Sequence, residues 1–258
     1  MEYVYHPKNS QLLSRLGAGS HATVYKMKFN DEMVAYKLFS KQTPEILKNA
    51  QKEAKFLSYM TKFPIMKNFT PNFIQFSEKP LYIIMEYIEG NTLNMNKLTD
   101  NEFNLLEQTF HQFISQLHTK FTLSIRDISP YNIIHSDDRF IFIDFEQLTE
   151  LKKPYLTNYG TPKYAAPTEI CDEKDDFLSA AIILSLRFGE VPWGNLRKLE
   201  HINQIKKQCI LDCKKYFSFL TGRPRQWMFG FSGVLDEEQM EKCAYIDYRT
   251  EFSHLEGL

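Results

Sequence analysis

The sequence predicts an α+β fold of two lobes, with a small sheet-rich lobe followed by a larger and mainly helical one. Short β-like runs fill the first third of the chain, one amphipathic helix interrupts them, and helical periodicity takes over after residues 88–92. The chain has 258 residues, 43% of them hydrophobic, which is enough to give each lobe a core of its own. We expect the lobes to comprise residues 1–88 and 89–258.

The small lobe is predicted to hold a five-stranded antiparallel sheet and one helix. The β-like runs cover residues 11–16, 23–29, 33–38, 72–76 and 81–87. Between the third and fourth runs, residues 44–60 repeat apolar side chains at helical spacing. Thr43 and Pro44 supply a cap and a first-turn proline for this helix.

The large lobe is predicted to begin with a helix whose start carries a capping box, in which Thr99 is followed three residues later by Glu102. Two short strands, residues 133–135 and 140–144, flank a polar turn. Residues 176–187 are apolar nearly all round, which indicates a central helix.

Composition and charge exclude several classes of protein. Lys and Arg number 31 against 32 Asp and Glu, so no general attraction to nucleic acid or to an anionic membrane is expected. The first residues lack the pattern of a signal peptide, which favours the cytosol. The most apolar stretch, residues 177–186, is about half of the roughly 20 residues that cross a bilayer. We expect a monomer or a weak dimer, in which the four cysteines form neither a disulfide framework nor a zinc site.

Two features of the small lobe suggest a phosphate site. Gly17 and Gly19 lie in a small-residue turn whose backbone N–H groups could donate to phosphate oxygens, although ordinary hairpin turns have similar compositions. On the next strand, alternation points Lys37 to the same side as Ala35, and a lysine facing a lobe interior needs an anion. Glu53 on the helix is the candidate carboxylate, and a solvated lysine at a strand edge is the alternative.

Three oxygen-bearing side chains mark a second feature. Asp127 is followed by Asn132, then by a strand, a turn, another strand and Asp144. Such groups at neighbouring strand ends can bind Mg²⁺ while one carboxylate orients an attacking hydroxyl. Asp and Asn are also common turn residues, but their joint spacing favours a site.

These pieces, in this order, resemble the protein-kinase family, with a glycine-rich turn, a V-A-x-K strand at residues 34–37, an R-D-x-x-x-x-N loop at 126–132 and a D-F pair at 144–145. Residues 160–167 resemble the G-T-x-x-Y-x-A-P end of an activation segment. Asp176 resembles the aspartate that steadies the catalytic-loop backbone. The resemblance covers residues 11 to 194 and implies a bilobal protein-kinase-like fold that uses ATP and Mg²⁺ to phosphorylate serine or threonine in protein substrates, with autophosphorylation possible.

The resemblance also implies a role for each matching residue. Lys37 would bind the α- and β-phosphates and pair with Glu53. Asp144 and Asn132 would hold Mg²⁺, and Asp127 would accept or orient the substrate hydroxyl.

The ATP pocket would involve the hinge-like residues 85–90. Backbone groups of Glu86 and Ile88 would pair with adenine, and Met85 would guard the pocket. The other residues that the resemblance places against ATP are Leu16, Gly17, Ala18, Gly19, Val24 and Ala35.

Six positions depart from the family pattern, two of which, Ala22 and Ala181, exchange a glycine for alanine. Ile125 replaces a histidine and should keep its packing, whereas Ser129 replaces a lysine that normally neutralises the transferring phosphoryl group. Glu146 replaces the glycine of D-F-G, which leads us to expect a motif fixed in its active-like conformation. Thr168 stands where a glutamate usually follows A-P, and Glu169 comes one position later.

Regulation is suggested by Arg126, which could form a pocket for a phosphorylated residue or merely brace the loop. The candidate phosphorylation sites are Thr149, Tyr155, Thr157 and Tyr159. Near the C-terminus, residues 220–224 and 245–249 faintly resemble the tail of casein-kinase-I-like enzymes, and Arg223 or Arg225 could pair with Glu169.

Two other functions compete with a protein kinase. A small-molecule kinase would also tolerate Glu146 and the loss of a lysine at Ser129, but it would have no use for the peptide-docking pattern at residues 160–167. A pseudokinase that binds nucleotide weakly is the non-enzymatic alternative.

Overall fold

The structure is a computed structural model that describes residues 4–154, 160–166, 170–171, 173–187 and 202. The strands are β1 (Ser10–Ala18), β2 (Ala22–Phe29), β3 (Glu32–Phe39), β4 (Phe73–Glu78), β5 (Leu81–Glu86), β6 (Asn91–Thr92), β7 (Leu123–Ser124), β8 (Ile133–Ser136), β9 (Arg139–Phe142) and β10 (Thr149–Glu150). The helices are α1 (Pro44–Met60), α2 (Asp100–Gln116) and α3 (Glu173–Ser185). Among the described residues, none of the helices is both long and apolar enough to cross a membrane.

The described residues fall into two compact units. The strand-rich unit contains the residues up to Thr92 together with Ile133–Glu146. The helical unit contains Leu93–Asn132 and the described residues from Gln147 onward. The division of the chain into lobes at residue 88 stays a prediction.

In the strand-rich unit, the predicted antiparallel sheet of five strands is confirmed, with the strand order β1-β2-β3-β5-β4. A buried core of this unit is formed by side chains from the sheet, namely Met27, Val34, Tyr36, Tyr82 and Ile84. Helix α1 begins where predicted, because the Thr43 hydroxyl accepts a hydrogen bond from the Ile46 amide and Pro44 occupies the first turn. A second sheet has the order β6-β8-β9.

In the helical unit, α2 starts with the predicted capping box between Thr99 and Glu102. A π-helical turn, Leu117–Phe121, follows α2 and leads into the short pair β7 and β10. Helix α3 begins three residues before the predicted start and ends two before the predicted end, and its residues Ala180–Leu184 are fully buried. Short strands of two residues have too few alternations to be found in a sequence, which is why β6, β7 and β10 were not predicted.

Candidate active site

The strand-rich unit gathers three carboxylates around Lys37. This lysine lies on β3 and is almost completely buried. Its Nζ lies 2.8 Å from Glu53 Oε2 on α1, 2.9 Å from Glu146 Oε1 and 3.0 Å from Asp144 Oδ1. The strand alternation that turned Lys37 inward therefore brings it to Glu53, and the alternative of a solvated edge lysine is wrong.

Burial and charge act in opposite directions on this cluster. Burial lowers the pKa of Lys37, but the carboxylates of Asp144, Glu53 and Glu146 raise that pKa well above its ordinary value. Burial raises the pKa of Glu53 to about 7, because Lys37 offsets only part of the desolvation and the other two carboxylates add repulsion. Lys37 is therefore held as a cation, and three carboxylates compete for it.

The sequence interpretation of Glu146 missed its most direct contact. The sequence interpretation considered only the backbone freedom that is lost when Glu146 replaces a glycine. In the structure, Oε1 of the Glu146 carboxylate contacts Lys37, and Oε2 lies 3.3 Å from His21 Nδ1. Strand alternation could not have found this contact, because β9 ends at Phe142 and Asp144 has a left-handed backbone with φ of 66°. No sequence pattern singles out His21.

The D-F pair is fixed by helix α1. Asp144 adopts a left-handed backbone conformation with φ of 66°. The Phe145 amide donates to Glu53 Oε1 at 3.2 Å, and its buried ring lies against Phe56 with the ring centroids 4.7 Å apart. Glu53 thus holds both the lysine and the Asp-Phe turn.

The glycine-rich turn joins β1 to β2. Within it the Gly19 amide donates to the Ala22 carbonyl at 2.8 Å, so this N–H is engaged in closing the turn. The register of the sheet aligns Gly17 with Val24, and Val24 with Lys37. The phosphate-binding role predicted for the turn remains a prediction.

The hinge-like segment follows β5. Met85 is buried and is paired with Ala35 across the sheet. The Glu86 amide donates to the Asn72 carbonyl at 2.8 Å, and the Glu86 carboxylate accepts hydrogen bonds from the backbone amide and the side-chain amide of Asn72 at 3.1 and 2.6 Å. The Glu86 side chain is therefore committed to the protein itself, and Ile88 is buried.

In the helical unit, donors of Thr161 and Asn132 hold the Asp127 carboxylate. Its Oδ1 accepts from the Thr161 amide at 2.7 Å and from the Thr161 hydroxyl at 2.8 Å, and its Oδ2 accepts from Asn132 Nδ2 at 3.1 Å. Gly160 has φ of 90°, and a Cβ on it would lie 3.2 Å from the Arg126 carbonyl oxygen. A glycine at this position therefore lets Thr161 approach the carboxylate closely.

The backbone of the loop is held by Asp176 on α3, as the family resemblance implied. This fully buried carboxylate accepts from the amides of Ile125 and Arg126, each at 3.0 Å, and lies 3.0 Å from His118 Nε2. Ser129 is also fully buried. Its hydroxyl has no hydrogen-bond partner among the described residues, and a neutral hydroxyl cannot supply the charge of a lysine.

Arg126 pairs with an acidic residue of its own chain. Its guanidinium contacts the Asp175 carboxylate, and both side chains are at least 96% buried, with exposures of 1% and 4%. Arg126 thus braces α3 to the loop, and the phosphate pocket stays a prediction. Thr149 lies in β10, with its hydroxyl donating to the Gln147 carbonyl at 3.0 Å.

Several predicted features lie outside the described residues. These are the other three candidate phosphorylation sites, Thr168 and Glu169, both candidate arginine partners, and the C-terminal stretches that resemble casein-kinase-I-like tails. The roles assigned to the site residues remain predictions.

Comparison with known proteins identifies the family. Residues 10–235 match the protein kinase domain. The chain is 26% identical over 249 residues to serine/threonine-protein kinase ULK3 of Rattus norvegicus, with 82% of this chain and 50% of the relative covered. It is 26% identical over 227 residues to the Homo sapiens ULK3, with coverage of 78% and 46%.

A third relative is serine/threonine-protein kinase dst1 of Dictyostelium discoideum, which is 28% identical over 189 residues, with coverage of 67% and 24%. The chain spans half or less of the length of each of these three relatives. The match to the family extends over most of the chain, and the five-stranded sheet and the Lys37–Glu53 pair agree with it. The chain therefore belongs to the protein kinase domain family.

Proposed function

We propose that this chain is an ATP-dependent protein kinase domain that phosphorylates serine or threonine in protein substrates. The observation that carries the proposal is the binding of Thr161 to the Asp127 carboxylate by two hydrogen bonds. Thr161 belongs to the segment that resembles the peptide-docking end of an activation segment. A carboxylate tied to that segment favours a protein acceptor over a small molecule. The names of the three relatives, all serine/threonine-protein kinases, support the same acceptor.

The proposed role of Asp127 is to orient the acceptor hydroxyl and to accept its proton. The donors of Thr161 and Asn132 hold this carboxylate in place, so it would present a positioned acceptor to the hydroxyl. The side-chain NH₂ group of Asn132 donates to Asp127. The side-chain oxygen of Asn132 is therefore left as the candidate ligand for a cation.

The donors around Lys37 suit Mg²⁺. Glu53, Asp144 and Glu146 each offer a carboxylate oxygen, and these oxygens lie within 4.8 Å of one another. Hard oxygen donors are the ligands that Mg²⁺ prefers, and three carboxylates against one ammonium leave negative charge for a divalent cation to neutralise. Asp144 is the proposed ligand here, while Lys37 would bind phosphate and Glu53 would hold Lys37 in place. When bound, Mg²⁺ would neutralise charge on the nucleotide phosphates.

Phosphoryl transfer by the purified chain tests the proposal. Mg-ATP labelled at the γ-phosphate is incubated with casein as a generic protein substrate, using wild type, Lys37→Ala, Asp127→Ala and the control Glu150→Gln, whose side chain is 69% exposed. We expect Asp127→Ala to reduce transfer about 10²–10⁴-fold, the range for loss of a positioned base, with the control unchanged. Phosphoamino acid analysis should find phosphoserine or phosphothreonine.

The other outcomes separate the competing functions. Equal transfer by wild type and both active-site variants would contradict the mechanism. Transfer to aminoglycosides or choline, without transfer to protein, would favour a small-molecule kinase. Nucleotide binding by wild type without any transfer would favour a pseudokinase.

A further inference from the structure

Three carboxylates surround the ammonium group of Lys37. Its hydrogen bonds go to both carboxylate oxygens of Glu53 and to Asp144, and Glu146 adds an ion pair. The distances from Nζ are 2.8 Å to Glu53, 2.9 Å to Glu146 and 3.0 Å to Asp144. A phosphate oxygen can reach Lys37 only if one of these carboxylates moves away.

Glu146 is the carboxylate most clearly placed where a phosphate would bind. Glu53 is fixed by a second bond, because it also accepts from the Phe145 amide at 3.2 Å. Glu146 instead spans two groups that lie on the predicted path of the nucleotide. One oxygen contacts Lys37, and the other lies 3.3 Å from His21 Nδ1 in the glycine-rich turn. Its side chain is only 11% exposed, so it is seated in the cluster and does not extend into solvent.

We infer that Glu146 is an internal competitor of the nucleotide, a carboxylate that occupies the place of a phosphate on Lys37 and ties the glycine-rich turn down through His21. This inference rests on the proposed function, because it assumes that the polyphosphate of a nucleoside di- or triphosphate binds at Lys37. A nucleotide must displace Glu146 from the ammonium, and it also meets the negative charge of Glu146 close to its own.

Binding of ADP tests the competition without requiring catalysis. The full chain is titrated with ADP by calorimetry, first without a divalent cation and then with Mg²⁺, and the melting temperature of each variant shows that it is folded. Glu146→Gln keeps the size of the side chain and removes its charge, Glu146→Gly restores the family residue, and Glu150→Gln removes an exposed carboxylate as a matched control.

Without the cation, we expect both Glu146 variants to lower the Kd for ADP about tenfold, which corresponds to about 1.4 kcal/mol, while the control leaves it unchanged. His21→Ala should lower the Kd by a smaller factor, because it removes only the anchor of Glu146. In a Lys37→Ala background, Glu146→Gln should improve binding by a clearly smaller factor, because the ammonium for which they compete is gone and only the charge repulsion is relieved.

Two results would overturn the inference while leaving the proposed function intact. An equal Kd for wild type and Glu146→Gln would show that no competition exists. Weaker binding by Glu146→Gln only when Mg²⁺ is present would make Glu146 a ligand of the cation. Failure of wild type and of every variant to bind ADP, with or without Mg²⁺, would instead refute the proposed nucleotide site, and the inference with it.

Discussion

Replacing Asp176 with asparagine should weaken the structure of the catalytic loop more than any change at an exposed acidic residue. The carboxylate is fully buried and serves three donors, the Ile125 and Arg126 amides and His118 Nε2, at 3.0 Å each. An asparagine oxygen at the position of Oδ2 could still accept from Ile125 and His118. Its NH₂ group would then face the Arg126 amide, so that two donors oppose each other.

The expected loss of stability follows from the hydrogen bond between the Arg126 amide and Asp176, which the asparagine cannot accept. A hydrogen bond to a charged group contributes about 1.5–3 kcal/mol, and a buried donor left without a partner costs about 1–3 kcal/mol. We therefore expect Asp176→Asn to lower the free energy of unfolding by about 3 kcal/mol. Since about 1 kcal/mol shifts the melting temperature by roughly 2–4 °C in a chain of this size, the melting temperature should fall by roughly 6–12 °C.

Thermal unfolding followed by circular dichroism measures this change, and the phosphoryl-transfer assay should show a parallel loss of activity because Asp127 follows Arg126 in the same loop. Asp138→Asn is the matched control, since Asp138 is exposed in the turn between β8 and β9. A melting temperature of Asp176→Asn equal to that of the control would refute the bracing role of this carboxylate.

Three further outcomes are expected. Gly160→Ala should lower the melting temperature, because φ of 90° disfavours an L-residue by about 1–2 kcal/mol and the added Cβ would crowd the Arg126 carbonyl. The control Gly17→Ala should change the melting temperature little, because its Cβ would meet nothing within 4 Å. Asp175→Asn should lower the free energy of unfolding in urea by about 3–5 kcal/mol, since it removes the charge partner of a buried guanidinium, and Arg126→Met with Asp175→Leu should recover much of the loss. Burial raises the pKa of the Cys171 thiol to about 11. Peptide mapping after treatment with iodoacetamide at pH 8 should therefore find this thiol unmodified in the folded chain and modified in urea. Fast modification of the folded chain would contradict the burial of Cys171.

Local patterns were sufficient to predict much of the strand-rich unit. Strand alternation turned Lys37 inward, and a single amphipathic helix left Glu53 as its partner, so the observed contact follows from two periodicities. The capping box at Thr99 placed the start of α2 for the same reason, since all of its interactions lie within four residues.

Contacts between distant parts of the chain could not be predicted in the same way. Thr161 reaches Asp127 across 34 residues, and Asp175 reaches Arg126 across 49. No periodicity connects such positions, because the distance between them is set by the tertiary fold. The charge of Glu146 was visible in the sequence, but its orientation toward Lys37 depends on the D-F turn and on the position of α1.

The left-handed backbone of Asp144 affects the choice of an inactive reference protein. Two substitutions would remove this carboxylate, asparagine and alanine, and they are not equivalent. Asparagine tolerates φ of 66°, whereas alanine in that region is disfavoured by about 1–2 kcal/mol. An Asp144→Ala protein would therefore combine the loss of the carboxylate with a backbone inclined to leave its conformation, and any loss of binding to partner proteins could arise from either cause. Asp144→Asn separates the two and is the better reference for a role that does not depend on catalysis.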